Sequence, residues 1–491
     1  MTESLTEHKS EASTGAAPER SLTGRVARSA AVSGLRTIVG YVVSAVVMLI
    51  LTHRLSPSAF GVYATVVASS LLAYQLVTAG FAYSFTRAES EVPAEVVNAA
   101  FWTFESVYIL AAGALVAISF ELSSATSHVI LRGMAGFLVV APLRFPMMVR
   151  CWRRLQMGRL ALIDLSEFIV LQVGALVLVL LGVGNAAFAY AIVAAACVSS
   201  GLSMVLMGWH PPRPIYRPLR PWFAEARDMF VANSLMLLRD NASAPLLSVV
   251  FGTGIAGYYG WAFGVTSAGL GLAAVLTHTL FLGFAKTADR AVIPHALRRA
   301  LQLLVLYVGA VVAVIGGAAR PITVTVFTTR WIPALLGLRL LLPALATLMV
   351  LGLFINLALA ERRTAVVIRC LLLFFALVVA VGLPAAGLWG IAGYAGSVLV
   401  AALASTILMW SQTTRVHPLE RRLIWSNLGI AFSALVTVVL GSLVFRPNHG
   451  SWLTLVEALA ICSVTFLALA NLFSRGAMIG DVRYAYHTLR A

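Results

Sequence analysis

The sequence predicts an all-α membrane protein of about fourteen transmembrane helices, and two observations carry that prediction. Of its 491 residues, 60% are hydrophobic and only 11% are charged, and the mean hydropathy is +0.92. A soluble domain carries roughly a quarter charged residues and could not hide so much apolar surface. The apolar residues also form long unbroken runs, which favour helices over a closed barrel because barrel strands alternate apolar and polar side chains.

Fourteen apolar segments approach or exceed the roughly 20 residues that a membrane-spanning helix needs. They lie at residues 30–52, 60–85, 96–119, 129–149, 160–182, 186–208, 229–251, 255–284, 300–319, 338–359, 364–384, 387–410, 424–445 and 452–473. The stretch 315–345 is the least regular part of the pattern, because charged residues and prolines interrupt it.

The distribution of basic residues predicts the orientation of these helices. A net charge of +16 in a soluble protein would suggest binding to nucleic acid, but here the basic residues lie in short loops between apolar segments. With the N-terminus inside, 25 Arg and Lys residues fall in inner segments and four in outer loops. This asymmetry predicts that both termini are cytoplasmic and that nucleic acid is not a partner. We call the two sides the predicted inner and outer faces.

The sequence predicts five regions. Residues 1–28 are polar and are expected to form a disordered cytoplasmic tail, and the proline-rich stretch 210–228 is expected to be a cytoplasmic linker. Between and after them we expect a six-helix lobe at 29–209, a second six-helix lobe at 229–412, and two extra helices with a cytoplasmic tail at 413–491.

An internal repeat supports the division into two lobes. Phe60-Gly61-Val62-Tyr63 enters the second helix as Ala256-Gly257-Tyr258-Tyr259 enters the eighth, and Gly254-Ile255-Ala256-Gly257-Tyr258 recurs as Gly390-Ile391-Ala392-Gly393-Tyr394. One interpretation is duplication of a six-helix lobe. The alternative is that glycine begins each outer turn and tyrosine anchors each helix at the membrane interface.

Several short motifs show a resemblance to a known family. They are Leu55-Ser56-Pro57-Ser58-Ala59-Phe60-Gly61-Val62-Tyr63, Gly257-Tyr258-Tyr259, Trp331-Ile332-Pro333-Ala334 and Glu361-Arg362-Arg363. In their order and spacing they resemble the polysaccharide flippases of the multidrug, oligosaccharidyl-lipid and polysaccharide exporter superfamily. Each motif alone is weak, but together they extend over nearly the whole chain.

The resemblance implies a fold, a substrate class and partners. It implies two six-helix lobes around a central cavity, and transfer of a polyprenyl-diphosphate-linked oligosaccharide from the cytoplasmic to the outer leaflet of the bacterial inner membrane by alternating access. The expected product is a surface polysaccharide such as lipopolysaccharide or exopolysaccharide. The lipid-linked oligosaccharide and the bilayer are the implied partners, with a polysaccharide polymerase and chain-length proteins as candidate protein partners.

Polar residues within the first apolar segment are candidates for the substrate site, because ionisable groups in hydrocarbon are costly unless they face a cavity or a partner. Ser33, Arg36 and Ser44 recur at helical spacing and form a polar stripe. Arg36 could hold a diphosphate, since a guanidinium keeps its charge and donates two hydrogen bonds to phosphate oxygens. The alternative is that Arg36 extends to the cytoplasmic headgroups.

The seventh segment carries the most polar cluster at membrane depth, with Asn233, Arg239 and Asp240. We expect Arg239 and Asn233 to bind substrate and Asp240 to couple transport to a proton or cation. Adjacent helical residues point about 100° apart, so we expect Arg239 and Asp240 not to neutralise each other. The alternative is a network of ion pairs between the lobes.

Two further segments contain charged candidates. Arg144, between Pro142 and Pro146, is expected either to add positive charge to the cavity or to stabilise a helix kink. Glu105 is a second candidate ion-coupling residue or the partner of an interior arginine. Asp164 and Glu167 are predicted to form an interfacial salt-bridge group with the nearby Arg159 and Arg154.

The sequence contains no HExxH, CxxC or Walker A motif, so no catalytic residue, metal site or cofactor is predicted. Two alternatives to a flippase remain. A cation-coupled drug antiporter of the same superfamily would have a cavity that favours carboxylates over arginines. A membrane glycosyltransferase or polymerase would need acidic residues in an outer loop, and Glu121 is almost the only one there.

Overall fold

A computed structural model of the protein describes residues 17–87, 92–121, 125–153, 156–207, 220–286, 293–417, 421–445 and 451–473. All regular secondary structure in these ranges is helical, which confirms the all-α prediction. Within them, eleven helical segments are long and apolar enough to cross a membrane, and one of these, Thr364–Thr414, has 51 residues. That length suffices for two crossings, and the count of fourteen stays a prediction.

The described residues of the first half of the chain form seven helices, and a 3-10 turn at Ala141–Arg144 joins the fourth to the fifth. The prolines on either side of Arg144 explain the break, since proline cannot donate the backbone hydrogen bond that a continuous helix needs. The helices are α1 (Ala17–Arg54), α2 (Pro57–Arg87), α3 (Ala94–Glu121), α4 (Ala125–Val140), α5 (Phe145–Arg153), α6 (Met157–Leu180) and α7 (Ala186–Met207).

Ten helices lie in the part of the remaining chain that the structure describes. A 3-10 turn at Thr329–Ala334 and a π-helical turn at Val378–Gly382 interrupt the series. The helices are α8 (Arg220–Asn241), α9 (Ser243–Phe251), α10 (Thr253–Lys286), α11 (Ile293–Gly317), α12 (Ala319–Val326), α13 (Leu335–Ala360), α14 (Thr364–Leu377), α15 (Leu383–Thr414), α16 (Arg421–Val444) and α17 (Trp452–Phe473).

Two helices extend into regions that were predicted as a tail and a linker, and the limits of those regions stay predictions. The chain is helical from Ala17, so the stretch predicted to be disordered up to residue 28 already belongs to α1. Pro18 lies in its first turn, where the fixed backbone angle of proline favours a helix. In the same way α8 begins at Arg220, inside the predicted linker, because Pro221 lies in the first turn and starts the helix rather than breaking it. Residues 1–16 and 210–219 of these two predicted regions lie outside the described residues.

The helices pack as two groups. In the first half, α6 packs against α1 and α7, and α4 packs against α3 and α7. In the second half, α13 packs against α10 and α15, while α16 and α17 cover α11. One large hydrophobic cluster lies between residues 66 and 196, and the other draws almost all its members from residues 232–470. This packing agrees with the two lobes predicted from the repeat, whose exact limits stay a prediction.

The two halves meet most closely at the repeated glycines. A Cβ on Gly61 of α2 would lie 1.8 Å from the carbonyl oxygen of Thr253, and a Cβ on Gly257 of α10 would lie 1.7 Å from that of Pro57. Only glycine allows this approach of two backbones. The equivalent positions of the repeat therefore face each other where α2 and α10 begin, near the predicted outer face.

Candidate functional site

A cavity of about 720 Å³ lies between the two halves. Its wall combines side chains of α1, α2 and α6 and the α4–α5 connection with four residues of α8. Arg36 and Ser44 of α1 both line it, and at 1.5 Å per residue they lie about 27 Å and about 15 Å before the end of α1 at Arg54. The cavity therefore occupies the half of the membrane-spanning region nearer the predicted inner face.

The arginines of the cavity are held by carboxylates of α6. Arg36 of α1 forms an ion pair with Asp164, and Arg144 forms one with Glu167. Nη1 of Arg144 also lies 4.0 Å from Oδ1 of Asp164. These four side chains, which we call the ion-pair cluster, link α1, α6 and the α4–α5 connection.

The ion-pair cluster bears on two expectations. Asp164 and Glu167 were predicted to form an interfacial salt-bridge group with Arg159 and Arg154. The structure pairs the two acids with Arg36 and Arg144 on the cavity wall. Arg154 lies outside the described residues, and the predicted group with Arg159 stays a prediction. The cavity was also expected to be predominantly positive, and instead each of its two arginines is paired with an acid. Spacing along the sequence could not show this, because Arg36 and Asp164 are 128 positions apart.

Arg144 is held by Tyr74 as well as by its ion pair with Glu167. Its Nε donates a hydrogen bond to the Tyr74 hydroxyl at 3.0 Å, and its guanidinium carbon lies 4.4 Å from the centre of the Tyr74 ring. Its side chain is only 14% exposed, as is that of Glu167 at 15%, so water screens this pair weakly. Arg144 ends the 3-10 turn at the helix break and also faces the cavity, and both suggested roles stay predictions.

Arg239 and Asp240 form a pair within α8, contrary to the prediction. Nε of Arg239 donates to Oδ1 of Asp240 at 2.8 Å, and one terminal nitrogen donates to Oδ2 at 3.2 Å. Their Cβ atoms diverge, but the long arginine side chain bends back to the neighbouring carboxylate. Asp240 lines the cavity with a side chain that is 51% exposed, whereas Arg239 is 11% exposed and is not among the residues that line it.

Two other predicted residues lie on the cavity wall. Ser44 lines it from α1 and Asn233 from α8. Asn233 is 5% exposed, and its amide nitrogen has no hydrogen-bond partner among the described residues. A buried donor of this kind can bind an acceptor on a ligand. The backbone of Ser33 belongs to α1, while its side chain lies outside the described residues.

A smaller cavity of about 250 Å³ continues toward the predicted outer face. It shares Tyr41, Ser44, Leu71 and Asp240 with the first cavity, so these residues stand between the two spaces. Its wall includes Tyr63, whose hydroxyl donates to the side-chain oxygen of Gln172 at 2.7 Å. Polar and aromatic side chains together make a surface suited to sugar rings as well as to apolar groups.

Contacts between the halves close the space beyond the smaller cavity, at the predicted outer face. The indole nitrogen of Trp331 donates to the backbone oxygen of Thr52 at 3.2 Å, and its ring meets Phe60 edge-on at 5.4 Å between centroids. Next to it, Arg330 donates to the backbone oxygen of Leu55 at 3.0 Å. We call these contacts, together with Gly61 and Gly257, the outer seal.

The sequence profile of one protein family, described as "Polysaccharide biosynthesis protein", matches residues 50–336, which is more than half of the chain. The chain belongs to this family. This match confirms the family resemblance that the motifs indicated. No curated protein sequence matches the chain significantly.

Solved transporter structures share the fold of this polysaccharide biosynthesis protein. The lipid II flippase MurJ in an inward closed conformation superposes with a TM-score of 0.74 at 12% identity, covering 90% of this chain and 99% of MurJ. The Vibrio cholerae MATE transporter VcmN gives 0.52 at 14% identity, covering 81% and 98%. An inward-facing multidrug resistance MATE transporter of the MOP superfamily gives 0.50 at 16% identity, covering 77% and 95%. At these identities the similarity shows the fold alone.

Within this family member, Glu105 lies away from both cavities. It is 5% exposed on α3 among aromatic residues such as Phe101 and Phe104, and its Oε2 has no hydrogen-bond partner among the described residues. Glu105 was also suggested as the partner of an interior arginine, but it forms no ion pair with any arginine among the described residues. Its role in ion coupling stays a prediction.

Sequence reasoning missed the cavity-facing side of α6. Asp164, Glu167 and Leu171 all line the cavity, and Gln172 lines the smaller one. Residues three and four positions apart share one face of a helix. The spacing of two acids and a glutamine along an apolar helix was therefore the signal that could have identified this face.

Proposed function

We propose that the protein flips a polyprenyl-diphosphate-linked oligosaccharide from the cytoplasmic to the outer leaflet of the bacterial inner membrane, with both termini cytoplasmic. Membership of the polysaccharide biosynthesis family supports this class of cargo. The fold shared with a protein described as a lipid II flippase supports a transporter rather than an enzyme.

The observation that carries the proposal is the position of Arg36 and Arg144 in a cavity between the two halves. A diphosphate offers two groups of oxygens, and two guanidinium groups on neighbouring helices can each donate a pair of hydrogen bonds to one of them. A volume of about 720 Å³ falls in the range of small-molecule sites and suits the diphosphate with its first sugars, while the polyprenyl tail stays in lipid.

The arrangement also supports a direction of transfer. The larger cavity lies toward the predicted inner face, where the lipid-linked oligosaccharide is made, and the outer seal closes the opposite side. Opening of the outer seal would extend the path through the smaller cavity to the outer leaflet. Alternating access thus requires the α2–α10 contact to separate.

The first test replaces Arg36 by alanine in cells that depend on this protein for a surface polysaccharide. We expect export to fall by more than about 100-fold, because a charge-assisted contact to the diphosphate is lost, while the amount of protein in the membrane stays near normal. Export is measured as surface polysaccharide per cell.

The matched control is Arg132→Ala. Arg132 is an arginine of α4 that packs on the ring of Phe120 at 5.0 Å and lines neither cavity. It should leave export nearly unchanged. Full complementation by Arg36→Ala would remove the phosphate-binding role.

One observation favours a second candidate, a cation-coupled drug antiporter. Asp164, Glu167 and Asp240 place three carboxylates on the cavity wall, and carboxylates attract organic cations. In that case, deletion of the protein would sensitise cells to cationic drugs and leave the surface polysaccharide intact. If the protein is a flippase, its deletion would remove the surface polysaccharide and leave sensitivity to cationic drugs unchanged. The proposed protein partners of the flippase are a polysaccharide polymerase and chain-length proteins.

A further inference from the structure

Two carboxylates of the ion-pair cluster have no part in the proposed function so far. Asp164 and Glu167 lie one turn apart on α6 and hold the guanidinium groups of Arg36 and Arg144. Asp164 approaches both arginines, because its Oδ1 also lies 4.0 Å from Nη1 of Arg144. The formal charges of the four side chains cancel, and all four line the cavity.

We infer that Asp164 and Glu167 are exchangeable counter-ions, which hold Arg36 and Arg144 during the unloaded step of the transport cycle and are displaced by the diphosphate of the substrate. This inference rests on the proposed function. It assigns the acids of α6 a role in the cycle that differs from the binding role of the arginines.

A guanidinium group can exchange a carboxylate partner for a phosphate partner because of the chemistry of these groups. Arginine keeps its charge at any physiological pH, so a guanidinium can bind phosphate only by leaving its carboxylate or sharing with it. Phosphate and carboxylate oxygens both match the planar fork of donors. The cluster has two guanidinium groups and two carboxylates, and a diphosphate has two phosphoryl groups. One phosphoryl group can therefore replace one carboxylate at each arginine.

In the unloaded step, Asp164 and Glu167 would neutralise the two arginines while no substrate is bound. After the substrate leaves, Arg36 and Arg144 must pass through the conformational change within a membrane-embedded cavity, where an unpaired charge is costly. The side chain of Arg144 is only 14% exposed, so water alone would compensate its charge poorly. The carboxylates stand on α6, whereas the arginines belong to α1 and the α4–α5 connection, so small side-chain movements can change the partners.

The third carboxylate of the cavity gives a comparison. Asp240 is 51% exposed and is bound at 2.8 Å by its neighbour Arg239. Among the described ion pairs, Asp240 contacts neither Arg36 nor Arg144. Competition with the substrate should therefore be specific to the two acids of α6.

Binding of farnesyl diphosphate to the purified full-length protein in lipid nanodiscs tests the inference. We expect the double variant Asp164→Asn, Glu167→Gln to bind with a dissociation constant about tenfold lower than the unmodified protein, because the internal competitors lose their charge. In cells, the same variant should export less polysaccharide by at least about threefold, because the unloaded step leaves the arginines unpaired. Tighter binding with slower export is not expected from a merely structural role.

Two comparisons make the result specific. Asp240→Asn removes one negative charge from the same cavity and should change the dissociation constant by less than about threefold, because it removes no competitor. If the double variant fails to accumulate in the membrane, the single variants Asp164→Asn and Glu167→Gln should each lower the dissociation constant by about threefold. A similar gain for Asp240→Asn would show a general effect of charge and overturn the inference.

The remaining outcomes separate this inference from the proposed function. If the unmodified protein binds farnesyl diphosphate and Arg36→Ala does not, an unchanged or higher dissociation constant in the acid variants overturns the counter-ion role alone. If the unmodified protein does not bind farnesyl diphosphate, the proposed function fails first and the inference fails with it.

Discussion

The two halves of the chain differ in how the charged side chains near the cavity are paired. In the first half, Arg36 and Arg144 pair with acids on another helix, so the ion pairs link three separate elements. In the second half, Arg239 pairs with the next residue of its own helix and does not line the cavity. The first half therefore offers two guanidinium groups to a ligand, and the second half offers the Asp240 carboxylate and the Asn233 amide.

This difference indicates a division of labour. Pairs between helices depend on the arrangement of those helices, and a ligand that takes one partner can alter it. A pair within one helix stays intact when that helix moves as a rigid body. We therefore expect the diphosphate to bind mainly to the first half, while the second half closes the cavity and contributes to the outer seal.

The largest effect is expected from Arg144→Ala. The substitution removes a phosphate donor and leaves the weakly exposed Glu167 without its arginine, so export should fall by more than about 100-fold. Arg144→Lys keeps the charge but loses the forked geometry and should recover only a small part of the export. Equal export by Arg144→Lys and the unmodified protein would show that charge alone suffices.

A somewhat smaller effect is expected from Gly61→Ala at the outer seal. Its new Cβ would lie 1.8 Å from the Thr253 carbonyl oxygen, so α2 and α10 must separate. Export should fall by about tenfold, because the conformation with a closed outer face becomes less populated. A cysteine placed at Ser267 in the smaller cavity should then react faster with a membrane-impermeant maleimide applied from outside.

The control for this prediction is Gly254→Ala, on the same helix as Gly257. A Cβ at Gly254 meets nothing within 4 Å, so the seal should stay closed and the labelling rate should not change. Equal labelling of both variants would contradict the assignment of this contact as the outer seal.

The smallest of these effects is expected from Arg239→Ala. Because Arg239 is bound to Asp240 and lines neither cavity, export should fall by only about threefold to tenfold, less than for Arg144→Ala. Arg239→Lys should retain most of the export. A complete loss in Arg239→Ala would restore the direct role in substrate binding that the sequence suggested, and would make the two halves equivalent.

The sequence predicted the fold far better than the site, and the reason is physical. Helix type and approximate position follow from local runs of apolar residues, which lipid selects directly. The break near Arg144 also follows from local chemistry, because Pro142 and Pro146 disrupt the backbone hydrogen bonds there. The paired glycines of the repeat identified Gly61 and Gly257 as related positions, although only the structure shows that they touch.

The partners of the charged residues could not be predicted from local patterns. The ion pair between Arg36 and Asp164 depends on how α1 packs against α6, far apart in sequence. The pair between Arg239 and Asp240 depends on a side-chain conformation, which helical periodicity does not determine. Sequence reasoning thus found polar residues in apolar helices, and the structure showed which of them face the cavity.

The most direct test of the central claim is transfer of a polyprenyl-diphosphate-linked oligosaccharide across reconstituted vesicles that contain only this protein. We predict that the unmodified protein accelerates transfer at least about tenfold over protein-free vesicles, and that the double variant Arg36→Ala, Arg144→Ala abolishes the acceleration while Arg132→Ala retains it. Equal rates for the unmodified protein and the double variant would contradict the account.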